Sequence, residues 1–341
     1  MRIGICGLGM MGRSHLANAL KIDELEVAAL CDIDPAKFDL SRIVPGNLPL
    51  EQVKSSLDNV PRYEQYEQML DEAELDAMIV TTPSDLHPSM ATAALEAGLH
   101  VFTEKPIAVT VEGGERVYRA VEASGKVLVV GHVVRFIPAY QKLGEWVRNQ
   151  TWGPVVSAEF SRSCGLPGWG ERGWFTDPAR SGGMPVDLHI HDADFILHTF
   201  GPPPAVRSVR SFNSPSQTDI IETLYIYNEM PVRSWGGWVH RTSGFSAWAN
   251  ITFEEATVSY NTRQGDHIAV YHHDESEAVE LSDAGGYETE LREFVRCARA
   301  GHPSPVCPPK SAVDSLRLVY AEMESAEKNT EVTPDITPDS D

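Results

Sequence analysis

Along residues 1–133, compact apolar runs alternate with longer amphipathic stretches. The runs at 3–6, 27–31, 77–81, 101–103 and 127–130 are continuous rather than alternating, as in strands buried on both faces of a parallel sheet. Between them, 15–21, 65–70, 89–97 and 111–123 read as helices, and Gly98 and Gly125 follow two of these as C-terminal stops. This order predicts a doubly wound parallel sheet. From about residue 151 the pattern changes. Segments 155–161, 205–211, 220–227, 232–240, 245–253 and 255–260 are rich in Val, Thr, Tyr and Trp, with one helical stretch among them at 186–200. They predict an α+β domain on a large, open, mainly antiparallel sheet with helices on one face. Amphipathic helices follow at 288–300 and 312–327, the last expected to pack back on the first domain. The Thr/Pro/Asp-rich tail 329–341 reads as disordered. The fold class is therefore α/β, with domains at 1–133 and 134–328 and a tail at 329–341.

The 341 residues suit about two domains. With 28 basic and 49 acidic side chains the net charge is −21. That field repels phosphate backbones and anionic lipid, so nucleic acid and membrane surfaces are excluded as partners, and an anionic ligand needs a local device to hold it. No apolar run reaches the ~18–20 residues of a membrane helix. Residues 1–7 run straight into a strand, without the apolar core of a secretion signal. The five cysteines are odd in number, scattered and without a CxxC pair. This is the pattern of a reducing cytoplasm and gives no cysteine metal site.

Gly7-Leu8-Gly9-Met10-Met11-Gly12 links the first predicted strand to a helix, and Asp32 ends the second strand 20 residues beyond Gly12. In that context the glycines form a dinucleotide fingerprint: a tight turn at Gly7, close backbone approach to a pyrophosphate at Gly9, close helix–strand packing at Gly12. Helix-end N–H groups can bind phosphate against the global charge. Asp32 is expected to accept from the adenosine ribose hydroxyls and to repel a 2′-phosphate. Ile33 follows it, with no Arg or Lys adjacent. The reading is a Rossmann domain that takes NAD rather than NADP.

Two further segments end strands at the carboxyl edge, where open α/β sheets bind ligands: Thr81-Thr82-Pro83-Ser84-Asp85-Leu86-His87 and Glu104-Lys105-Pro106. A third is Ser181-Gly182-Gly183-Met184-Pro185-Val186-Asp187-Leu188-His189-Ile190-His191-Asp192, in which Asp187 and His191 stand four apart and share one helix face. With Gly131–Tyr140 (GHVVRFIPAY), these segments stand in the order of a known family. The chain resembles the glucose–fructose oxidoreductase / inositol dehydrogenase / rhizopine-catabolism (Gfo/Idh/MocA) family over nearly its whole length. The resemblance implies a substrate-binding second domain whose open sheet joins subunits into a homodimer or homotetramer. It implies Lys105 as a catalytic residue, with Asp187 and His191 facing substrate and nicotinamide. It also implies a cofactor set of Gly7, Gly9, Met10, Met11, Gly12, Asp32, Ile33, Thr81, Thr82, Pro83, His87, Glu104, Lys105 and Arg135. The substrate set is Lys105, Arg135, Trp174, Asp187 and His191.

The chemistry agrees with that transfer. Oxidising a secondary alcohol removes a hydroxyl proton as hydride leaves the same carbon. An imidazole such as that of His191 can take the proton at neutral pH, and the Lys105 ammonium can stabilise the developing alkoxide. Asp187 positions. The expected activity is NAD-dependent oxidation of a cyclic polyol, sugar or sugar derivative. A redox-silent glycoside-cleaving enzyme and a non-enzymatic sensor remain alternatives on the same scaffold. Plainer readings stand beside these. His87 can serve the helix start, and Arg135 can pair with an acid. Trp169, Trp174 and Phe175 can pin a loop, and Trp235, Trp238 and Trp248 can pack in the sheet. His189, His191, Asp192 and Asp194 compose a metal cluster on paper, but a helix spreads them over several faces, so no metal is expected. His267, His272 and His273 read as a polar loop.

Overall fold

The computed structural model describes residues 1–40, 57–168, 171–213, 216–228, 230–265, 267–273 and 275–337. The chain divides into two compact units: 1–133 with 285–313, and 134–284 with 314–341.

The first unit holds six parallel strands: β1 (Arg2–Cys6), β2 (Glu26–Cys31), β3 (Arg62–Tyr63), β4 (Ala77–Val80), β5 (His100–Glu104) and β6 (Leu128–Gly131). Their order is β3-β2-β1-β4-β5-β6. The chain therefore winds outward from β1 and then restarts on its other side, which puts a topological switch point between β1 and β4. Both neighbours meet β1 at its last residue, Cys6 against Cys31 and against Val80. Ile3, Ile5, Leu8, Leu16, Phe102 and Val129 form the core beneath one sheet face. The helix that closes it is Gly286–Ala300, whose Phe294 meets Phe102 edge-on at 6.0 Å. Sequence reading assigned this packing to the later helix. The correct helix is the earlier one, because its apolar stripe of Leu291, Phe294, Val295 and Ala298 is what the parallel sheet buries.

The second unit holds β7 (Val155–Gly165), β8 (Ala205–Asn213), β9 (Thr218–Ile226), β10 (Pro231–Val239), β11 (Ser246–Phe253), β12 (Thr257–Asn261), β13 (His267–His272) and β14 (Glu275–Glu280). They form one sheet in the order β14-β13-β12-β11-β7-β10-β9-β8, antiparallel except between β7 and β10. The last two strands were not expected. β13 alternates correctly, with Ile268 and Val270 buried, but its histidines masked the period. β14 is a mostly exposed edge strand and carries no apolar face to read. His267 and His272 thus belong to a strand rather than a loop, and His272 stacks on Trp152 at 5.5 Å.

From Asp314 onward, the helix Pro309–Lys328 packs in this second unit. Ser315 donates to Asp194 at 2.7 Å, Glu322 meets His189 at 2.8 Å and Ser325 accepts from the Ser208 amide. The tail is also more ordered than its composition suggests, since Val206 and Val332 exchange both backbone hydrogen bonds, at 2.8 and 3.0 Å. This bridge to Val206 of β8 supplies what a Pro/Thr-rich segment cannot supply alone. Residues 338–341 lie outside the described chain.

His198, near the end of the helix Ile190–Phe200, gives a pH test of this packing. Burial lowers its pKa to about 4, with Arg135 and Arg148 adding to the effect and Asp194 opposing it. The folded state thus prefers neutral His198, and stability present above pH 6.5 drains away as pH falls toward 4. We expect His198→Gln to lose on the order of 2 kcal/mol less than the parent between pH 7 and 4. Urea unfolding at pH 7, 5.5 and 4 measures this, and parallel pH profiles would refute it.

Candidate active site

Gly7 carries φ +89°, and a Cβ there would stand 2.7 Å from the Thr81 carbonyl oxygen. A Cβ on Gly12 would overlap the Gly7 carbonyl oxygen outright. These two glycines are required by the protein itself. Gly9 is different: a Cβ there meets no atom of the described residues within 4 Å. The first turn of the helix Met10–Ala19 has no side-chain cap at its N-terminus, so its amides face open space with their positive end. A glycine that the protein does not need, beside an uncapped helix start, fits a pyrophosphate. Thr81 Oγ1 ties the loop down by donating to the Cys6 and Gly7 carbonyls, at 2.9 and 2.6 Å.

Asp32 stands beside this loop, accepting from the Leu8 amide at 2.6 Å and the Asp34 amide at 2.9 Å. A carboxylate has about four acceptor positions, so ribose hydroxyls can still bind. Ile33 and Met10 point outward, 78% and 60% exposed. Folding also brings up Arg13, which chain adjacency to Asp32 did not reveal. Its guanidinium is held by the Leu8, Lys37 and Asp39 carbonyls.

The turn Glu104–Lys105–Pro106 follows β5, with a cis peptide at Lys105–Pro106. Glu104 is buried. It accepts from His15 Nε2 at 2.7 Å and from the Lys105 amide at 3.1 Å. Against the effect of burial, the hydrogen bond from His15 and the neighbouring charges of His15 and Lys105 lower its pKa, so it is ionised. His87 is buried too, with Nδ1 2.8 Å from the Pro106 carbonyl oxygen and Nε2 2.8 Å from that of Thr82. It joins the two strand-end segments to each other. Burial lowers its pKa despite those two acceptors, and a neutral ring can donate to only one of them. An open depression of about 580 Å³ lies at the opposite, amino edge of the sheet, by Met1, Asp76, His100 and Lys126, and takes no part in this arrangement.

In the second unit, Gly182 and Gly183 turn the chain with φ +76° and +72° into a π-helical turn, Pro185–His189, continued by Ile190–Phe200. Asp187 lies in the wide turn and His191 in the α-helix. Such wide turns concentrate at functional sites. Around them the other charged members of the segment are consumed. Asp192 receives Arg162 at 2.8 and 3.2 Å, Asp194 receives Arg135 at 2.6 and 2.8 Å, and His189 pairs with Glu322. Burial alone would lower the pKa of His189, but Glu322 outweighs it and raises it. Three of the four residues of that metal-like composition, His189, Asp192 and Asp194, are thus held in internal ion pairs. Arg135 is 3% exposed and donates twice to Asp194, so this part of its guanidinium lies in the unit's interior. Phe175 packs against the cluster of Met184, Leu188, Ile221 and Trp238, and Trp174 stacks on Phe175 at 3.9 Å. Trp238 is core, as its strand position suggested. Trp169 lies outside the described residues.

Sequence reasoning missed His15, Arg162, Glu290 and Glu322. Their helices, and the strand beside Arg162, are legible in the sequence, but only folding shows what these side chains face.

Fold and loop together define an oxidoreductase scaffold with a dinucleotide-binding domain. The chain belongs to the Gfo/Idh/MocA oxidoreductase family: residues 1–132 match its NAD-binding Rossmann-fold domain and 140–259 match its C-terminal domain. It is 32% identical to the D-glucoside 3-dehydrogenase of Escherichia coli over 62% of this chain and 57% of that one, so the match spans just over half of that relative. It is 26% identical to the myo-inositol 2-dehydrogenase of Thermotoga maritima over 97% of this chain and 98% of that one. Among solved structures, a levoglucosan dehydrogenase with NADH and levoglucosan superposes with a TM-score of 0.82 at 18% identity, covering 98% of this chain and 100% of that one. Among the described residues, no helix is long and apolar enough to cross a membrane.

The contrast between Gly9 and Gly12 is testable by isothermal titration with NADH and thermal unfolding. Gly12→Ala is expected to lower the melting temperature by several degrees and abolish binding. Gly9→Ala is expected to melt within about 2 °C of the parent while binding at least tenfold more weakly. Unchanged binding in Gly9→Ala would remove the pyrophosphate from this loop.

Proposed function

We propose that this protein is an NAD(H)-dependent dehydrogenase that oxidises a secondary hydroxyl of a cyclic polyol, a sugar or a sugar derivative. The observation that carries the proposal is the turn at Lys105: a lysine at the carboxyl edge of a dinucleotide-binding sheet, its backbone anchored by an ionised, buried Glu104. Relatives named as glucoside and inositol dehydrogenases support the substrate class. When bound, the nicotinamide supplies the hydride acceptor. Lys105 donates a hydrogen bond to the alcohol oxygen and stabilises it as the proton leaves. His191 takes that proton, and Asp187 holds a neighbouring hydroxyl or the imidazole. Asp32 accepts from the ribose hydroxyls and disfavours a 2′-phosphate, which gives NAD preference over NADP. Ile33 and Met10 offer apolar surface to the adenine. The outer sheet face carries Val209 and Leu224, exposed, with Trp235 and Trp248 half-buried. We assign to it the self-association of a homodimer or homotetramer. The five free thiols among the described residues suit a reducing cytoplasm.

An NAD-reduction screen at 340 nm over inositols, aldoses, amino sugars and sugar acids tests the activity. Lys105→Ala and His191→Ala are each expected to lower kcat at least a hundredfold while the Kd for NAD stays within threefold. Normal turnover in both variants would remove the assignment. Substrate turnover without net NADH would point to redox-silent chemistry instead, and saturable sugar binding without turnover to a sensor.

The cofactor preference is a separate measurement: NADP is expected to bind at least tenfold more weakly than NAD. Equal or tighter NADP binding would overturn the role given to Asp32.

A further inference from the structure

The first unit buries a third acid beside the lysine turn. Glu290, on the helix Gly286–Ala300, is fully buried, and among the described residues neither of its carboxyl oxygens has a hydrogen-bond partner. Its Oε1 is 4.0 Å from His15 Nε2, the nitrogen that lies 2.7 Å from Glu104 Oε1. One ligand-type atom from each of His15, Glu104 and Glu290 lies within 4.8 Å of the others. The cluster is walled by Phe102, whose ring is 4.9 Å from His15, and by Tyr287 at 5.9 Å.

Two buried carboxyls at this distance cannot both ionise without a cation. The contacts say which one does. Glu104 has a donor on each oxygen, His15 and the Lys105 amide. Glu290 has none, and burial together with the Glu104 charge pushes its pKa well up. The titratable groups facing Glu104 are His15 on the loop helix, Lys105 on the turn, His87 from the neighbouring helix and Glu290 itself. A cation shared by all three ligands fits less well. His15 Nε2 and Glu104 Oε1, only 2.7 Å apart, would subtend about 80° at an ion ~2.1 Å from each, well short of a tetrahedral angle.

We propose that Glu104 is the positioning residue of Lys105, held by His15, and that Glu290 is a neutral acid that keeps the His15 proton directed to Glu104. This rests on the role given to Lys105 above. The device ties the helix of the phosphate loop to the lysine turn through one buried carboxylate. An ionised Glu290 would compete for the Nε2 proton and release that hold, whereas a neutral one leaves it undivided. Neither His15 nor Glu290 needs to touch a ligand.

The test compares Glu104→Gln, His15→Leu, His15→Gln and Glu290→Gln with Lys105→Ala. Glu104→Gln and His15→Leu are expected to lower kcat tenfold or more with the Kd for NAD within threefold. His15→Gln, which keeps an N–H donor, and Glu290→Gln, which keeps a neutral group of the same shape, are expected to stay within threefold of the parent at pH 7. Glu290→Gln should also remove any alkaline fall in kcat that Glu290 ionisation causes. Hydrogen exchange of the Lys105 amide needs no substrate and is expected to quicken at least tenfold in Glu104→Gln. Parent-like exchange and kcat in Glu104→Gln, with Lys105→Ala inactive, would overturn this inference alone. Normal turnover in Lys105→Ala would instead overturn the functional reading, and the exchange measurement would still decide whether Glu104 holds the turn. One equivalent of divalent metal in the purified protein, lost in Glu290→Gln, would also overturn the inference and make the cluster a metal centre.

Discussion

The close approach of the Gly7–Gly12 loop to the end of β4 is the constraint on which the first unit depends. There is no room for a side chain between Gly12 and the Gly7 carbonyl, or between Gly7 and Thr81. That packing brings the start of the loop helix down against the sheet, with the ends of β4 and β5 alongside. It also puts His15, two turns into the same helix, against Glu104. A wider loop would lose both the amide cradle and the support beneath the lysine. Phosphate binding and the placement of Lys105 thus share one steric cause.

The same economy answers the charge problem set by the composition. A chain of net charge −21 should repel a dinucleotide. Within the unit, however, the surroundings of the loop are arranged against that field. The helix start offers uncapped amides, and Asp32 is engaged by two backbone N–H groups. Arg13, the cation nearest the loop in sequence, is directed to carbonyls. The anion would be held by fixed backbone dipoles rather than by mobile side-chain cations, which makes its position less dependent on salt.

Much of this was legible because its causes are local. Continuous apolar runs report parallel strands, and glycine spacing with Asp32 reports the loop. The segments around Lys105 and Asp187 were visible for the same reason. What escaped was non-local or edge-like. β14 has one neighbour and mostly exposed side chains, so it leaves no hydrophobic period. The acid that Arg135 meets, Asp194, stands 59 residues away, so spacing could not name it. The helix that completes the first unit is separated from it in sequence by the whole second sheet, so neither its destination nor the place of Glu290 beside His15 can be read from spacing.

The fate of His189, Asp192 and Asp194 shows how buried ion pairs can fix one helical run. Asp192, Asp194 and His189 are neutralised by Arg162, Arg135 and Glu322, partners from three different elements. Removing either arginine would leave a buried carboxylate uncompensated, which typically costs 3–5 kcal/mol. Those pairs therefore fix the rotation and depth of the helix strongly. Asp187 and His191 lie on the same run, one in the wide turn and one just after it, so their placement is inherited from the paired residues.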